Sequence, residues 1–340
     1  VTGVQTCALP IFQICPVGAL TSNDYRFRAR PFDLVSTASV TEHDASGSAI
    51  RVDIRRGEVV RRLAGNDPEV NEEWITDKDR FAFRWSGVER LNTPFVRENG
   101  QLVPTSWSDA LDRVHRALAG LSGDQVGFLP GGRLSFEDAW AWSKFARTVV
   151  GSDSIDMRSR SHSEEERSFL AAHVAGSGLG VTYSQLENAG QVLLVGLEPE
   201  DECGALFLRM RKATRKGKLR VASLAPMTSR GLAKLSGELL RCAPGTEVEV
   251  AAEIREGGEF ADLASRLDGG VILVGERASR TPGLLSEVVR LAERTHCRIQ
   301  WVPRRAGERG GVEAGLLPGL LPFGRPLASQ EARESLAWGE

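Results

Sequence analysis

The chain has 340 residues, 41% hydrophobic and 26% charged, and its 43 Lys and Arg nearly cancel 45 Asp and Glu to leave a formal net charge of −2. That balance describes a globular protein of about two domains, with no electrostatic footprint for nucleic acid or anionic lipid. The longest apolar runs, such as Val192–Val195 and Val271–Val274, fall far short of the roughly 18 residues a membrane span requires.

In chain order, the first eleven residues lack the basic start and long apolar stretch of a signal peptide. They resemble translated sequencing-adapter read-through, and segment 1–11, with Cys7, is expected to be a scar. Residues 49–64 alternate apolar Ile50, Val52 and Ile54 with charge, pause at Arg56-Gly57 and resume with Val59 and Val60, which predicts a half-buried hairpin. Asn99-Gly100 predicts a tight primed turn joining Phe95-Val96 to Leu102-Val103. The chain to residue 104 therefore reads as a small strand-rich module.

Beyond Trp107 the rhythm becomes one of alternating helices and strands. Helical spacing runs over residues 107–121, and short strands are expected at 125–130 and 153–157. Ser135 with Asp138, and Ser163 with Glu164 to Glu166, mark two helix starts. Short apolar strands follow near residues 191–195, 218–225, 270–275 and 297–302, separated by amphipathic helices. This predicts an α/β fold: a doubly wound, mainly parallel sheet covered on both faces. The last residues, 327–340, start a helix that has no capping glycine, so the chain is expected to be a fragment.

Five scattered cysteines, Cys7, Cys15, Cys203, Cys242 and Cys297, make no disulfide framework and fit a reducing compartment. The most informative is Cys15. A lone cysteine is usually a small buried hydrophobe, but Cys15-Pro16 is the kind of pair that gives a ferredoxin-type [4Fe–4S] site its fourth thiolate after an upstream C-x2-C-x2-C.

Residues 14–40 (ICPVGALTSNDYRFRARPFDLVSTASV), 55–74 (RRGEVVRRLAGNDPEVNEEW), 77–85 (DKDRFAFRW) and 192–202 (VLLVGLEPEDE) carry a specific resemblance. They resemble the large iron–sulfur subunit of bacterial NADH-quinone oxidoreductase, respiratory complex I, in its actinobacterial form. That family shares its later part with molybdopterin oxidoreductases. The resemblance implies that Cys15 is the last ligand of a [4Fe–4S] cluster conducting electrons from NADH towards quinone, the other ligands lying upstream. It also implies a domain plan: 12–35 as the end of a ferredoxin-like segment, 36–104 as a degenerate [4Fe–4S] module, and 105–340 as a truncated α/β domain of the molybdopterin oxidoreductase type.

In many relatives the second module carries an additional cluster on C-x2-C-x3-C-x27-C. This chain has Thr41, Asp44, Ser48 and Thr76 at that spacing. Neutral hydroxyls are hard donors that do not replace thiolates on a soft cluster, so this cluster is expected to be lost. Glu42, His43 and Asp44 on one turn cannot readily converge on a metal ion, and a solvated loop is expected. At residues 196–202 the family's pterin-binding Gly-x-Asn-Pro is replaced by Gly-Leu-Glu-Pro-Glu-Asp-Glu. Its carboxylates would repel a pyrophosphate at the helix start, and bound molybdopterin is not expected.

Other motifs favour plain structural readings. Gly131-Gly132-Arg133 and the glycines of 176–180 match neither a dinucleotide nor a P-loop pattern. Arg209, Arg211, Lys212, Arg215, Lys216 and Lys218 read as a solvated helix end or subunit contact. His115, His162, His173 and His296 are isolated, and Cys203, Cys242 and Cys297 read as buried thiols. No catalytic residue is expected in the chain. The resemblance implies attachment to the cytoplasmic face of the plasma membrane through other subunits of the peripheral arm, without membrane insertion of its own. Two rivals remain: a molybdopterin-dependent oxidoreductase of the formate dehydrogenase type, and a non-redox scaffold.

Overall fold

A computed structural model of the chain describes Gln13, residues 22–336 and Trp338. Near the start, β1 (Val35–Val40), β2 (Ala49–Arg55) and β3 (Glu58–Ala64) form a three-stranded antiparallel sheet in sequence order. Arg56 and Gly57 take the positive φ of the expected tight turn, and the register shifts at Asp53/Ile54. Ile50, Ala64 and Ile75 make a small core beneath it. Helix α1 (Asp77–Phe81) follows, opened by Thr76, whose hydroxyl accepts from the Asp79 amide while the Asp79 carboxylate accepts from the Thr76 amide. The second expected hairpin is present as β4 (Phe95–Glu98) and β5 (Gln101–Pro104), with Asn99 and Gly100 at positive φ. It makes a two-stranded ladder of its own.

Helix α2 (Trp107–Leu118) is capped by Ser106, α3 (Phe136–Lys144) by Ser135 and α4 (Glu164–Phe169) by Ser163, each hydroxyl accepting from the third helical amide. The strands expected at 125–130 and 153–157 shrink to one parallel bridge. The Phe128 amide donates to Ser154 O and Phe128 O accepts from Asp156 N, and the pairing goes no further. Segments this short gain too few ladder bonds to extend as strands.

The larger sheet has five parallel strands: β6 (Gly190–Val195), β7 (Leu219–Ala225), β8 (Glu238–Arg241), β9 (Val271–Gly275) and β10 (Arg298–Val302). Their spatial order is β10-β9-β6-β7-β8. The chain steps outward from β6 to β8, then returns to the other side of β6. The order therefore reverses between β6 and β9, where doubly wound folds usually open their ligand crevice.

Alternate residues on one strand face opposite layers. Leu193 and Val195 of β6, with Ile272 and Val274 of β9, join a core closed by α9 (Glu247–Glu256), α10 (Ala261–Leu267) and α11 (Leu284–Thr295). Val192 and Leu194, with Val271 and Leu273, enter a second core closed by α5 (Tyr183–Glu187), α7 (Gly204–Arg215) and α8 (Arg230–Lys234). Burial on both faces is the reason these strands are continuous apolar runs. The short α6 (Pro199–Glu202) leads from β6 to α7, and α12 (Glu308–Glu313) follows β10. Among the described residues no helix is long and apolar enough to cross a membrane.

Candidate functional site

Cys15, the one residue the sequence assigns to a metal, lies outside the described residues, as does Cys7. Its surroundings can still be approached from Gln13 and Ser22. The Gln13 side chain is clamped to Ala64 at the end of β3, donating to its carbonyl at 3.1 Å and accepting from its amide at 3.0 Å. Gln13 and Ser22 both line a cleft of about 1300 Å³ between β3 and the segment after α1.

That cleft is rich in arginine. Arg61 lies over the Tyr25 ring, 4.0 Å from its centroid, and is paired with Asp53 at 2.6 Å. Arg62 is paired with Glu42 at 2.8 Å and Arg84 with Asp24 at 2.6 Å. Arg80 differs. It is only 5% exposed, and its Nε and Nη2 have no hydrogen-bond partner. Burial pulls its pKa down, against the pull of nearby Asp77 and Asp79.

The four positions with cluster-ligand spacing are gathered into one polar knot. Thr41, Asp44 and Ser48 are buried. The hydroxyls of Thr41 and Thr76 both donate to the Asp79 carboxylate, from Thr76 at 2.7 Å. The Thr41 amide donates to Ser48 O at 3.0 Å. Asp44 accepts from Ser46 N at 2.9 Å and from Gly204 N, at the start of α7, at 3.4 Å. Ser46 Oγ is 3.2 Å from Cys203 Sγ, and the Tyr183 hydroxyl donates to Ser46 O at 2.8 Å. Burial, helped by the neighbouring Asp79, raises the Asp44 carboxyl above its ordinary range. Burial, then Asp44, pushes the Cys203 thiol up to about 12, so it is protonated and inert.

The expectation of a solvated loop at Glu42, His43 and Asp44 is thus corrected. Asp44 is fully buried and the other two are half-buried, because the turn is pressed against the start of α7. The basic run needs a similar correction. Arg215, Lys216 and Lys218 are exposed at the helix end as expected. Arg209 is buried and reaches Glu187 at 2.5 Å, Glu72 at 3.3 Å and Pro68 O at 2.9 Å. Lys212 pairs with the same two carboxylates. These cations tie the strand-rich module to the α/β layers.

At the switch point the crevice is closed. A side chain on Gly196, after β6, would overlap the backbone of Ala278, and one on Gly275 would overlap the Gly196 carbonyl. Across this contact Glu202 pairs with Arg277 at 2.6 Å and Arg304 at 3.1 Å, and Glu200 pairs with Lys234. The carboxylates at the start of α6 already have cations.

The sequence gives no hint of a buried carboxyl pair nearby. Glu308 is fully buried, and burial, reinforced by Glu276, pushes it up to about 8. Burial opposes charge on Glu276 too, but a hydrogen bond with Glu308, the Arg304 amide and Arg160 hold it below the ordinary range. Cys203 and Cys242 are buried as expected and Cys297 is half-buried. Among the described residues no three His, Cys, Asp or Glu are grouped to hold a metal ion.

Comparison with known proteins matches residues 34–84 to the family model "NADH-ubiquinone oxidoreductase NDSU1/NuoG-like, 4Fe-4S domain" and residues 90–258 to "Molybdopterin oxidoreductase". The large iron–sulfur subunit of NADH-quinone oxidoreductase from Mycobacterium bovis is 53% identical over 96% of this chain. The chain belongs to the family of these large iron–sulfur subunits. Its Streptomyces coelicolor relative is 52% identical over 96% of the chain, and that of Rickettsia felis 34% identical over 63%. The chain spans 41% of the length of the Mycobacterium bovis relative and 42% of the Streptomyces coelicolor one. Against this family the knot has a clear meaning. It keeps the frame of a [4Fe–4S] domain, but no thiolate stands at any of the four positions, and the Thr41 and Thr76 hydroxyls are engaged by Asp79. These residues do not fit a cluster. The arginine cleft fits one in a different way: it is roomy, cationic and lined by the residues flanking the Cys15 segment.

Proposed function

We propose that this chain is a part of the large iron–sulfur subunit of NADH-quinone oxidoreductase that conducts single electrons derived from NADH towards quinone. The observation that carries this reading is the 53% identity to named subunits of that enzyme over 96% of the chain. Cys15 is the last thiolate of a [4Fe–4S] cluster whose other ligands lie upstream of it. When bound, that cluster stores and releases one electron at a time. The protein's part is to hold it, shield it from water and set its potential through nearby charge and hydrogen bonds. The chain supplies no acid, base or nucleophile, and NADH oxidation and quinone reduction belong to other subunits.

The module at residues 36–104 holds no cluster of its own, which the engagement of Thr41 and Thr76 by Asp79 supports. The domain at 105–340 holds no molybdopterin. The Gly196–Ala278 contact and the paired carboxylates of α6 support that, because a pyrophosphate would have to displace both. The partners are the other peripheral-arm subunits, and the site of attachment is the cytoplasmic face of the membrane.

The test is electron paramagnetic resonance of the purified complex, with iron and molybdenum analysis. Cys15→Ser in the full-length subunit is expected to remove or alter one reduced-cluster signal, whereas Thr76→Val leaves every signal in place. An unchanged spectrum for Cys15→Ser removes the ligand assignment, and stoichiometric molybdenum establishes the rival oxidoreductase.

A further inference from the structure

The arginine cleft contains a charge that nothing in the described structure uses. Most of its cations are neutralised locally: Arg61 and Arg51 by Asp53, Arg62 by Glu42, Arg84 by Asp24. Arg80 is buried, with two guanidinium nitrogens unpartnered. Stranding donors in this way costs about 1 to 3 kcal/mol, and more for a charged group, unless something anionic faces them. The Asp79 carboxylate next to it is already engaged by the Thr41 and Thr76 hydroxyls and the Thr76 amide.

The chain itself brings an anion to this place. Gln13 and Ser22 line the same cleft as Arg80. Consecutive Cα atoms are about 3.8 Å apart, so two residues of chain keep the Cα of Cys15 within about 7.6 Å of that of Gln13. An all-cysteinate [4Fe–4S] cluster is negative when oxidised and gains one further negative charge on reduction. A fixed cation nearby stabilises the reduced state more than the oxidised one, most strongly where water is excluded.

We propose that Arg80 is a potential-setting residue for the cluster ligated by Cys15, its buried guanidinium facing that cluster across the cleft and raising its reduction potential. This rests on the reading of Cys15 as a ligand. Arg28, an exposed cation on the rim of the same cleft, acts in the same direction but more weakly, because solvent screens it.

The experiment is a potentiometric titration of the intact complex, followed by the paramagnetic resonance of each reduced cluster. Arg80→Gln is expected to lower the midpoint of one cluster, so that at fixed poise its reduced-to-oxidised ratio falls about tenfold, which for a one-electron couple is 59 mV. Arg80→Lys keeps the charge and most of the potential. Arg28→Gln, which disturbs no buried group, gives a smaller fall in the same cluster, and Arg116→Gln on α2 gives none. Unchanged midpoints in both Arg80→Gln and Arg28→Gln, with the cluster signals intact, overturn the proposal. So does an equal fall in Arg80→Lys and Arg80→Gln, since charge would then not be the cause. If the affected signal is also untouched by Cys15→Ser, it is the ligand reading that fails, and the two failures are told apart.

Discussion

Gly204→Ala tests the junction between the strand-rich module and the α/β layers. Gly204 opens α7, its backbone lies outside the left-handed region, and its amide donates to Asp44. On helix propensity alone, alanine here should stabilise by up to about 1 kcal/mol. The new methyl, however, would overlap Cγ2 of Thr76. Thr76 cannot turn away cheaply, because its hydroxyl caps α1 and donates to Asp79 at 2.7 Å. Rotating it forfeits a cap worth about 1 kcal/mol, and keeping it overpacks a buried contact at about 1 to 3 kcal/mol. The overlap outweighs propensity, and Gly204→Ala should destabilise by about 1 to 2 kcal/mol net. Serine at position 76 keeps the hydroxyl and lacks the methyl. In a Thr76→Ser background the same alanine should be neutral or stabilising, a coupling within the range seen for touching residues. Urea unfolding of the four proteins of this cycle measures it. A stabilising Gly204→Ala in the parent chain, or an equal cost in both backgrounds, refutes the packing argument.

Glu308 predicts a pH dependence. Its folded pKa of about 8 lies above the ordinary 4.5, so between those values the folded state binds a proton the unfolded state has lost. Stability from this group is complete below about pH 4.5 and falls as pH rises towards 8, by at most about 1.4 kcal/mol per pH unit. Glu308→Gln should flatten that fall, raising the melting temperature relative to the parent more at pH 8 than at pH 5. Arg209→Ala leaves Glu187 and Glu72 without their buried guanidinium, and should cost about 3 kcal/mol and speed proteolytic cutting before β6. Ile272→Ala empties a fully buried position in the central strand β9 and should cost about 2 to 5 kcal/mol, read as a lower urea midpoint.

Features specified by neighbours in sequence were legible beforehand. Asn99-Gly100 fixes a hairpin by its own dihedral preferences, and Ser135 and Ser163 announce helices because a cap acts on amides three residues away. The apolar runs of β6 and β9 are read directly because both faces are buried. What stayed hidden depends on partners far along the chain. Asp44 looks like a loop acid until Gly204, 160 residues later, donates to it. Arg209 looks like a solvated helix residue until Glu72, 137 residues earlier, receives it. Glu276 and Glu308 have no periodicity to betray them; only the approach of the segments after β9 and β10 brings them together. The loss of thiolates was plain at positions 41, 44, 48 and 76, but the hydrogen bonds now linking those positions were not, because Asp79 belongs to no ligand pattern.

The knot of Thr41, Thr76 and Asp79 also bears on how such a protein is made. Every atom in it arrives with the polypeptide, so this segment reaches its final geometry without waiting for iron. Oxidants that dismantle iron–sulfur centres find only hydroxyls, carboxylates and the shielded, protonated Cys203 at this point. A position that in its relatives depends on cofactor supply has here become independent of it.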